Sequence, residues 1–219
     1  MKANLDNAHF NMLEQQVRPS TSLPPQVIDA IDDVARNQFV DESLRGLAYA
    51  DTELAMGFGQ TMLSPILHGR LLQALNLQPD EEVLEIGTGS GYFTALLAQL
   101  AKHVTSVEII PELSAIAAEN LTRTNINNID LVVGDAANGW PLTQRIDVIV
   151  CTAAVVTVPD DYLQSLKVGG RMLAVVGEGD IMTVQRIDRV TEWEWQTDAL
   201  FETVIPPMIN AEPKPEFKF

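Results

Sequence analysis

The sequence predicts an α/β fold, in which a doubly wound, mostly parallel seven-stranded sheet carries helices on both faces and follows an N-terminal helical and loop extension. Short apolar runs alternate with helical patterns from residue 82 to residue 176, which implies parallel strands joined by right-handed crossovers. A glycine-rich turn, Gly87–Gly91, follows the first run, and the next run ends in an acid, Glu108. Such sheets bind ligands at the carboxyl ends of their strands.

The length and charge of the chain bound the possible functions. A chain of 219 residues with 46% hydrophobic residues can bury the core of one domain. Its 30 acidic and 14 basic residues give a formal charge of -16. Because a surface with this much negative charge repels phosphate backbones and anionic lipids, we expect neither nucleic acid nor a membrane as partner.

Targeting and redox signals are few. No apolar run has the length of a membrane span, and the N-terminus lacks the apolar core of a signal peptide. These features predict a cytoplasmic protein, and we expect a monomer. Cys151 is the single cysteine and no Cys/His cluster has metal-ligand spacing, so we expect no disulfide and no metal. Cys151 ends an apolar run and is interpreted as a small buried hydrophobe.

Residues 1–78 are predicted to be an N-terminal segment packed on a core of residues 79–219, all in one structural domain. An amphipathic helix is predicted for residues 3–17 and ends at Arg18-Pro19. Its apolar face comprises Phe10, Leu13 and Val17. A second helix reaches Val34, and the irregular stretch 37–60 predicts a lid or platform.

The next helix runs to Leu75 and begins at Ser64-Pro65, a pair typical of a helix cap and first turn. The core then alternates regularly between strands and helices. Strands are predicted at 82–87, 103–108, 129–133, 146–151 and 171–176, and helices at 92–101, 112–123 and about 159–166. The tail, at 182–190 and 194–205, predicts a terminal antiparallel pair of strands.

The glycine turn is the main candidate for a ligand site. Glycines at 87, 89 and 91 permit positive φ and the close approach of a ligand. Glu108 lies where nucleoside-binding α/β units place an acid against the ribose hydroxyls. The third glycine comes one residue too early for the dinucleotide pattern Gly-x-Gly-x-x-Gly. This spacing disfavours a nicotinamide dehydrogenase and favours a cofactor without phosphate, such as S-adenosylmethionine.

Several segments resemble the S-adenosylmethionine-dependent methyltransferases of class I, and more narrowly the protein-L-isoaspartate O-methyltransferase family. The broader resemblance rests on 83–92, 106–108, 134–140, 150–154 and 168–172. The narrower one adds 36–40, 48–51 and 57–65. The likeness extends from about residue 10 to about residue 207. It implies a Rossmann-like fold and methyl transfer to isoaspartyl residues of damaged proteins, as a repair reaction that releases S-adenosylhomocysteine.

The resemblance also implies which residues bind the cofactor. They belong to the wall over the cofactor, to the glycine turn and to the ends of three predicted strands. The residues are Thr61, Met62, His68, Glu85, Gly87, Thr88, Gly89, Ser90, Glu108, Asp135 and Ala136. Glu108 would hold the ribose, Asp135 with Ala136 would meet adenine, and Glu85 would face the cofactor's ammonium group. From its pattern alone, Glu85 could equally cap a neighbouring helix, and His68 could be a packed helix residue.

One position departs from the family pattern. Where the family has a serine that contacts the acceptor carboxylate, this chain has Leu63, and Ser64 follows one residue later. Ser64 is thus either a helix cap or a substitute contact that takes the catalytic role. The first hypothesis is carboxyl methylation of isoaspartyl residues. Two alternatives remain, namely methylation of another acceptor, such as a small molecule or another oxygen, and cofactor binding without catalysis.

Overall fold

The N-terminal extension is helical, but its helices differ from the prediction. The computed structural model describes residues 2–211. One run comprises α1 (Lys2–Asn11), a π-helical turn (Met12–Val17) and α2 (Arg18–Ser20), and α3 (Pro25–Asp33) follows. The prediction that Arg18-Pro19 ends the first helix is wrong, because the helical run continues through Pro19 to Ser20. Of the predicted apolar face, Leu13 and Val17 are buried but Phe10 is 62% exposed, and Met12 is buried as well.

The segment that was predicted to be irregular contains a β-hairpin. Two 3₁₀ turns (Arg36–Gln38 and Glu42–Leu47) lead into β1 (Leu54–Gly57) and β2 (Gln60–Met62). The hairpin tip has three consecutive residues with positive φ, including Phe58 at 54°. α4 (Pro65–Leu75) follows the hairpin.

The core confirms the predicted doubly wound sheet. Its elements are β3 (Glu82–Ile86), α5 (Tyr92–Leu100), β4 (His103–Glu108), α6 (Pro111–Leu121), β5 (Ile129–Val133), β6 (Ile146–Val155), α7 (Asp160–Ser165), β7 (Leu166–Glu178), β8 (Ile181–Thr191) and β9 (Glu194–Glu202). The strand order is β5-β4-β3-β6-β7-β8-β9. The first five of these strands run parallel, and β8 is antiparallel to both β7 and β9. The predicted terminal antiparallel pair is therefore confirmed.

Alternate side chains of the central strands pack into two apolar layers. Val83 lies in one layer, together with apolar residues of α3, α4 and α5. Leu84 and Ile86 lie in the other layer with Tyr162 of α7. Strands buried on both faces in this way explain the nearly continuous apolar runs in the sequence.

The topology places the candidate site. β3 lies between β4 and β6, so the chain first builds the sheet in one direction and then crosses β3 to build it in the other. A crevice opens at such a reversal, beyond the carboxyl ends of the strands. Within residues 2–211, no helix combines the length and the apolar character needed to cross a membrane.

Candidate functional site

A single cavity lies at the carboxyl ends of β3, β4 and β6. Its volume is about 820 Å³ with the open mouth included. Ten of the twelve residues that were predicted to form the site line it. They are Thr61, Met62, His68, Gly87, Thr88, Gly89, Ser90, Glu108, Asp135 and Ala136. The structure thus brings together residues that the sequence spreads from β2 to the segment after β5.

The glycine turn needs its glycines for two separate reasons. Gly87, Gly89 and Gly91 have φ of 101°, 55° and 82°, a region that side chains disfavour. Neighbouring atoms also leave no space, because a Cβ on Gly87 would lie 2.4 Å from the Oγ1 of Thr152. Thr152 donates from this hydroxyl to the carbonyl of Gly87, at 2.7 Å, and so fixes the turn against β6.

Glu108 connects the end of β4 to the glycine turn. Its Oε2 accepts from the backbone N–H of Gly89 at 2.8 Å, and its Oε1 accepts from that of Ile110 at 3.0 Å. Each carboxylate oxygen can accept a second hydrogen bond. Glu108 lines the cavity and is 5% exposed. Its carboxylate therefore borders the cavity and retains the capacity to accept further hydrogen bonds.

Asp135 and Ala136 form the far wall after β5. The Asp135 carboxylate accepts from the Ala137 N–H at 3.0 Å and from the side-chain amide of Asn210 at 2.9 Å. The Ala136 carbonyl accepts from the Tyr162 hydroxyl. This wall is therefore fixed both by α7 and by the C-terminal segment.

The β1–β2 hairpin and α4 form the opposite wall. Thr61 and Met62 lie on β2, and the Thr61 hydroxyl donates to the Glu53 carboxylate at 3.0 Å. His68, on α4, is 4% exposed and lines the cavity. A Cβ on Gly89 would lie 2.9 Å from the Cε of Met56 in β1, so the hairpin closes against the glycine turn.

Ser64 caps α4 and does not line the cavity. Its Oγ accepts from the Leu67 N–H at 3.4 Å, and its backbone is extended, as expected for an N-cap. Leu63 lines the cavity instead and is 4% exposed. The helix-cap alternative for Ser64 is thus favoured, and the catalytic alternative stays a prediction.

Glu85 also lies outside the cavity lining, contrary to the expectation that it faces the cofactor's ammonium group. Its side chain is fully buried, and its Oε2 accepts from the hydroxyls of Thr94 at 2.5 Å and Ser106 at 2.6 Å. Its Oε1 has no hydrogen-bond partner in the described part of the chain. Ser106 in turn contacts the hydroxyl of Thr88, at 2.6 Å. Glu85 thus stabilises the glycine turn through Ser106, which contacts Thr88 of the turn.

Burial of this carboxyl should make stability depend on pH. Burial raises the pKa of Glu85 from 4.5 to about 8, against the opposing effect of the Ser106 and Thr94 hydroxyls. Between pH 4.5 and about pH 8, the Glu85 carboxyl holds a proton in the folded protein and has released it in the unfolded chain. Stability therefore falls as pH rises, by about 1.4 kcal/mol per pH unit.

Glu85→Gln should abolish this contribution, since glutamine does not ionise. We expect the free energy of unfolding of the variant to rise relative to wild type between about pH 5 and about pH 8, as measured by urea denaturation. Glu112→Gln, in the first turn of α6 and exposed, is the control and should show no such rise. Parallel pH profiles for Glu85→Gln and wild type would refute the assignment.

Some cavity residues were missed by the sequence analysis. Pro207, Met208 and Ile209 line the cavity because residues 206–208 bond to the backbone of Ala154, through the Ala154 N–H at 2.9 Å and its carbonyl at 2.7 Å. Met56 and Thr152 also line it. Only Thr152 had a signal in the sequence, since it follows an apolar run at a predicted strand end.

Two other kinds of chemistry find no support at this site. Burial raises the pKa of the Cys151 thiol to about 12, so the thiol is not a nucleophile near neutral pH. Among residues 2–211, no group of three His, Cys, Asp or Glu side chains is arranged to hold a metal ion.

The lining fits an adenosyl cofactor. Glu108 presents a carboxylate for a diol, and the backbone of the glycine turn lies open to the cavity. Apolar side chains at the end of β4 and after it, including Val107, Ile109 and Leu113, suit the faces of a purine. Among the described residues, none with a cationic side chain lines the cavity, which agrees with a ligand that carries a sulfonium and no phosphate.

Comparisons with known proteins identify the family of the chain. The sequence profile of the Protein-L-isoaspartate(D-aspartate) O-methyltransferase (PCMT) family matches residues 7–212. Protein-L-isoaspartate O-methyltransferase from Magnetococcus marinus is 40% identical over 86% of this chain and 82% of that protein. The enzyme of that name from Myxococcus xanthus is 46% identical over 75% of this chain and 78% of that protein.

A solved structure shows the same fold. It is that of a Plasmodium falciparum protein described as a protein-L-isoaspartate O-methyltransferase, in complex with S-adenosyl-L-homocysteine. The two chains superpose with a TM-score of 0.79 at 20% identity, over 91% of this chain and 97% of the other.

Proposed function

The chain belongs to the protein-L-isoaspartate(D-aspartate) O-methyltransferase family, and from this premise we propose that it transfers the methyl group of S-adenosylmethionine to the carboxylate of isoaspartyl residues in damaged proteins. The observation that carries the proposal is the convergence of ten predicted site residues on one cavity at the sheet's reversal point. The bound cofactor supplies an electrophilic methyl group on a sulfonium.

Within this proposal the protein's residues bind and align the reactants. Glu108 holds the ribose diol, and Asp135 with Ala136 meets the adenine edge. Gly87, Thr88, Gly89 and Ser90 surround the remainder of the cofactor, while Thr61, Met62 and His68 close over it. An acceptor carboxylate is already ionised near neutral pH, so no general base is required. Alignment and the exclusion of water can supply roughly 7–11 kcal/mol of the barrier reduction.

We name the acceptor end the part of the hairpin and α4 wall that is formed by Met56, Gln60, Leu63 and His68. Its side chains are neutral. Leu63 is its distinctive feature, because it places an apolar side chain where the family pattern has a serine. This observation favours a second candidate function, which is methylation of a different acceptor, such as a small molecule or another oxygen. The third hypothesis, also based on Leu63, is a protein that binds the cofactor without catalysing methyl transfer.

A matched pair of peptides tests the proposal. We expect labelled methyl groups to enter a peptide that contains one isoaspartyl residue and not its aspartyl twin, with the site read by fragmentation mass spectrometry. Absence of transfer to both peptides, with S-adenosylmethionine binding intact by calorimetry, would contradict the proposal and favour the other two readings.

The variant Leu63→Ser tests, in the same assay, whether residue 63 faces the acceptor. The added hydroxyl provides one hydrogen bond at the acceptor end, so we expect kcat/KM for the isoaspartyl peptide to rise about 10-fold. Leu67→Ser makes the same change at a buried residue outside the cavity lining and should not raise it. Equal values for the two variants would show that residue 63 does not face the acceptor.

A further inference from the structure

Arg36 is a fully buried cation without an ion pair to any carboxylate of the described residues. Its guanidinium donates to the carbonyl of Ala48 from Nε, at 2.9 Å, and to that of Leu63 from Nη2, at 2.6 Å. Its Nη1 lies 3.1 Å from Nδ1 of His68, and its Cζ lies 5.1 Å from the centre of the Tyr92 ring. One side chain thus connects the segment before the hairpin, the acceptor end and α4.

The contact between Arg36 and His68 determines the position of the histidine proton. A guanidinium has donors and no acceptor, so Nδ1 of His68 must accept, and the neutral ring carries its proton on Nε2. The ring orientation is fixed by stacking on Phe93, with centroids 5.2 Å apart, and by an edge contact with Tyr92 at 5.3 Å.

The remaining ring nitrogen faces the cavity. His68 lines the cavity, while Nε2 has no hydrogen-bond partner in residues 2–211 and is not among the polar atoms that are sealed from solvent. Burial, together with the positive charge of Arg36, holds the pKa of His68 well below its usual range. The ring is therefore neutral near pH 7 and offers the cavity one N–H donor.

A fixed N–H donor at this place suits a carboxylate. Two carboxylates could reach the acceptor end, namely the one at the methionine end of the cofactor and the one that accepts the methyl group. Since Leu63 supplies no hydroxyl, His68 is a candidate to provide the hydrogen bond on this wall. In the other tautomer, Nε2 would present a lone pair and repel either anion.

We propose that Arg36 is a positioning residue, which holds His68 in the Nε2–H tautomer so that the ring donates to a carboxylate in the cavity. The inference rests on the proposed function, because that function brings these carboxylates to the site. The tautomer itself is a property of the free protein and can be measured without any methyl transfer.

A long-range ¹H–¹⁵N NMR spectrum of the histidine rings is the first test. We expect His68 in the wild-type protein to be protonated on Nε2 and to remain neutral through pH 6. His9 and His103, which have no arginine at the ring, are observed in the same spectrum, and the loss of one signal set in His68→Gln assigns His68. A His68 ring protonated on Nδ1, or a cationic ring at pH 7, would overturn the proposal.

Arg36→Met tests the consequence for binding. Arg189→Met is the control. Arg189 is equally buried, donates to the carbonyls of Leu166 and Gln164, and lies 5.0 Å from the ring centre of Trp195. Unlike Arg36 it has no histidine partner in residues 2–211, and its Nη2 lies 3.5 Å from a carboxylate oxygen of Glu192. We expect Arg36→Met to weaken a carboxylate contact about 10-fold, and Arg189→Met to leave it unchanged. Equal cofactor Kd values together with equal peptide KM values for the two variants would refute the proposal.

Three ligands show which carboxylate is involved. If it belongs to the cofactor, the Kd of S-adenosylhomocysteine rises in Arg36→Met, while that of methylthioadenosine, which lacks the carboxylate, does not. If it belongs to the acceptor, both Kd values stay the same and the peptide KM rises.

His68→Gln keeps an amide N–H near the reach of Nε2, so it should retain binding that His68→Leu loses. If Arg36→Met does not fold, the wild-type NMR spectrum and the two His68 variants decide.

Discussion

Replacing Glu108 by alanine is expected to weaken the binding of S-adenosylmethionine about 100-fold, or about 2.7 kcal/mol. The reason is that this carboxylate has two tasks. It accepts from the backbone N–H groups of Gly89 and Ile110, and it is proposed to accept from both ribose hydroxyls. The variant would lose the ribose contacts and leave the two N–H groups without their acceptor. Isothermal titration calorimetry measures the change.

The control for this experiment is Glu112→Ala. It removes the same charge four residues further along, from an exposed position at the start of α6 that does not line the cavity. The dissociation constant of this variant for S-adenosylmethionine should stay within about twofold of wild type, since exposed charges contribute little to interaction energies. If Glu108→Ala binds as tightly as Glu112→Ala, the cofactor does not use this carboxylate.

Gly87→Ala is expected to lower the free energy of unfolding by about 3 kcal/mol and to reduce cofactor affinity more than about 10-fold. Two effects add at this residue. Its φ of 101° is unfavourable for alanine, and the new Cβ would lie 2.4 Å from the Thr152 hydroxyl oxygen. The turn must shift to relieve that contact, and it borders the cavity. Urea denaturation and calorimetry measure the two changes.

Other glycines of the chain separate these effects. Gly169→Ala has a φ of 85° and free space around the new Cβ, so it reports backbone strain alone. Gly46→Ala has neither strain nor a close contact and should change stability by less than about 1 kcal/mol. Gly87→Ala combined with Thr152→Ala should recover part of the loss. A Gly87→Ala variant no less stable than Gly169→Ala would contradict the expected clash.

The fold was largely predictable because local patterns and topology rules agree in the core. β4 and β5 have the predicted bounds, since each is an apolar run between clear turn signals. The hairpin of β1 and β2 was missed because its strands are short and its tip holds Phe58, an unusual residue for positive φ. The π turn before Pro19 was missed because helical periodicity assumes regular α-helix.

The site was predictable where residues follow strands. Glu108 and Asp135 lie at strand ends, and parallel topology brings such ends together. Glu85 was misplaced because β3 is buried on both faces, so its sequence does not reveal which side chains turn towards the cavity. Ile209 could not be found either, since it reaches the cavity through long-range backbone bonds from residues 206–208 to Ala154.

A crystal structure of the complex with S-adenosylhomocysteine tests the central claim most directly. The predicted result has adenine beside Asp135 and Ala136, both ribose hydroxyls on Glu108, and the sulfur directed towards Leu63 and His68. A ligand bound elsewhere on the protein, or one in this cavity whose ribose does not touch Glu108, would contradict the account.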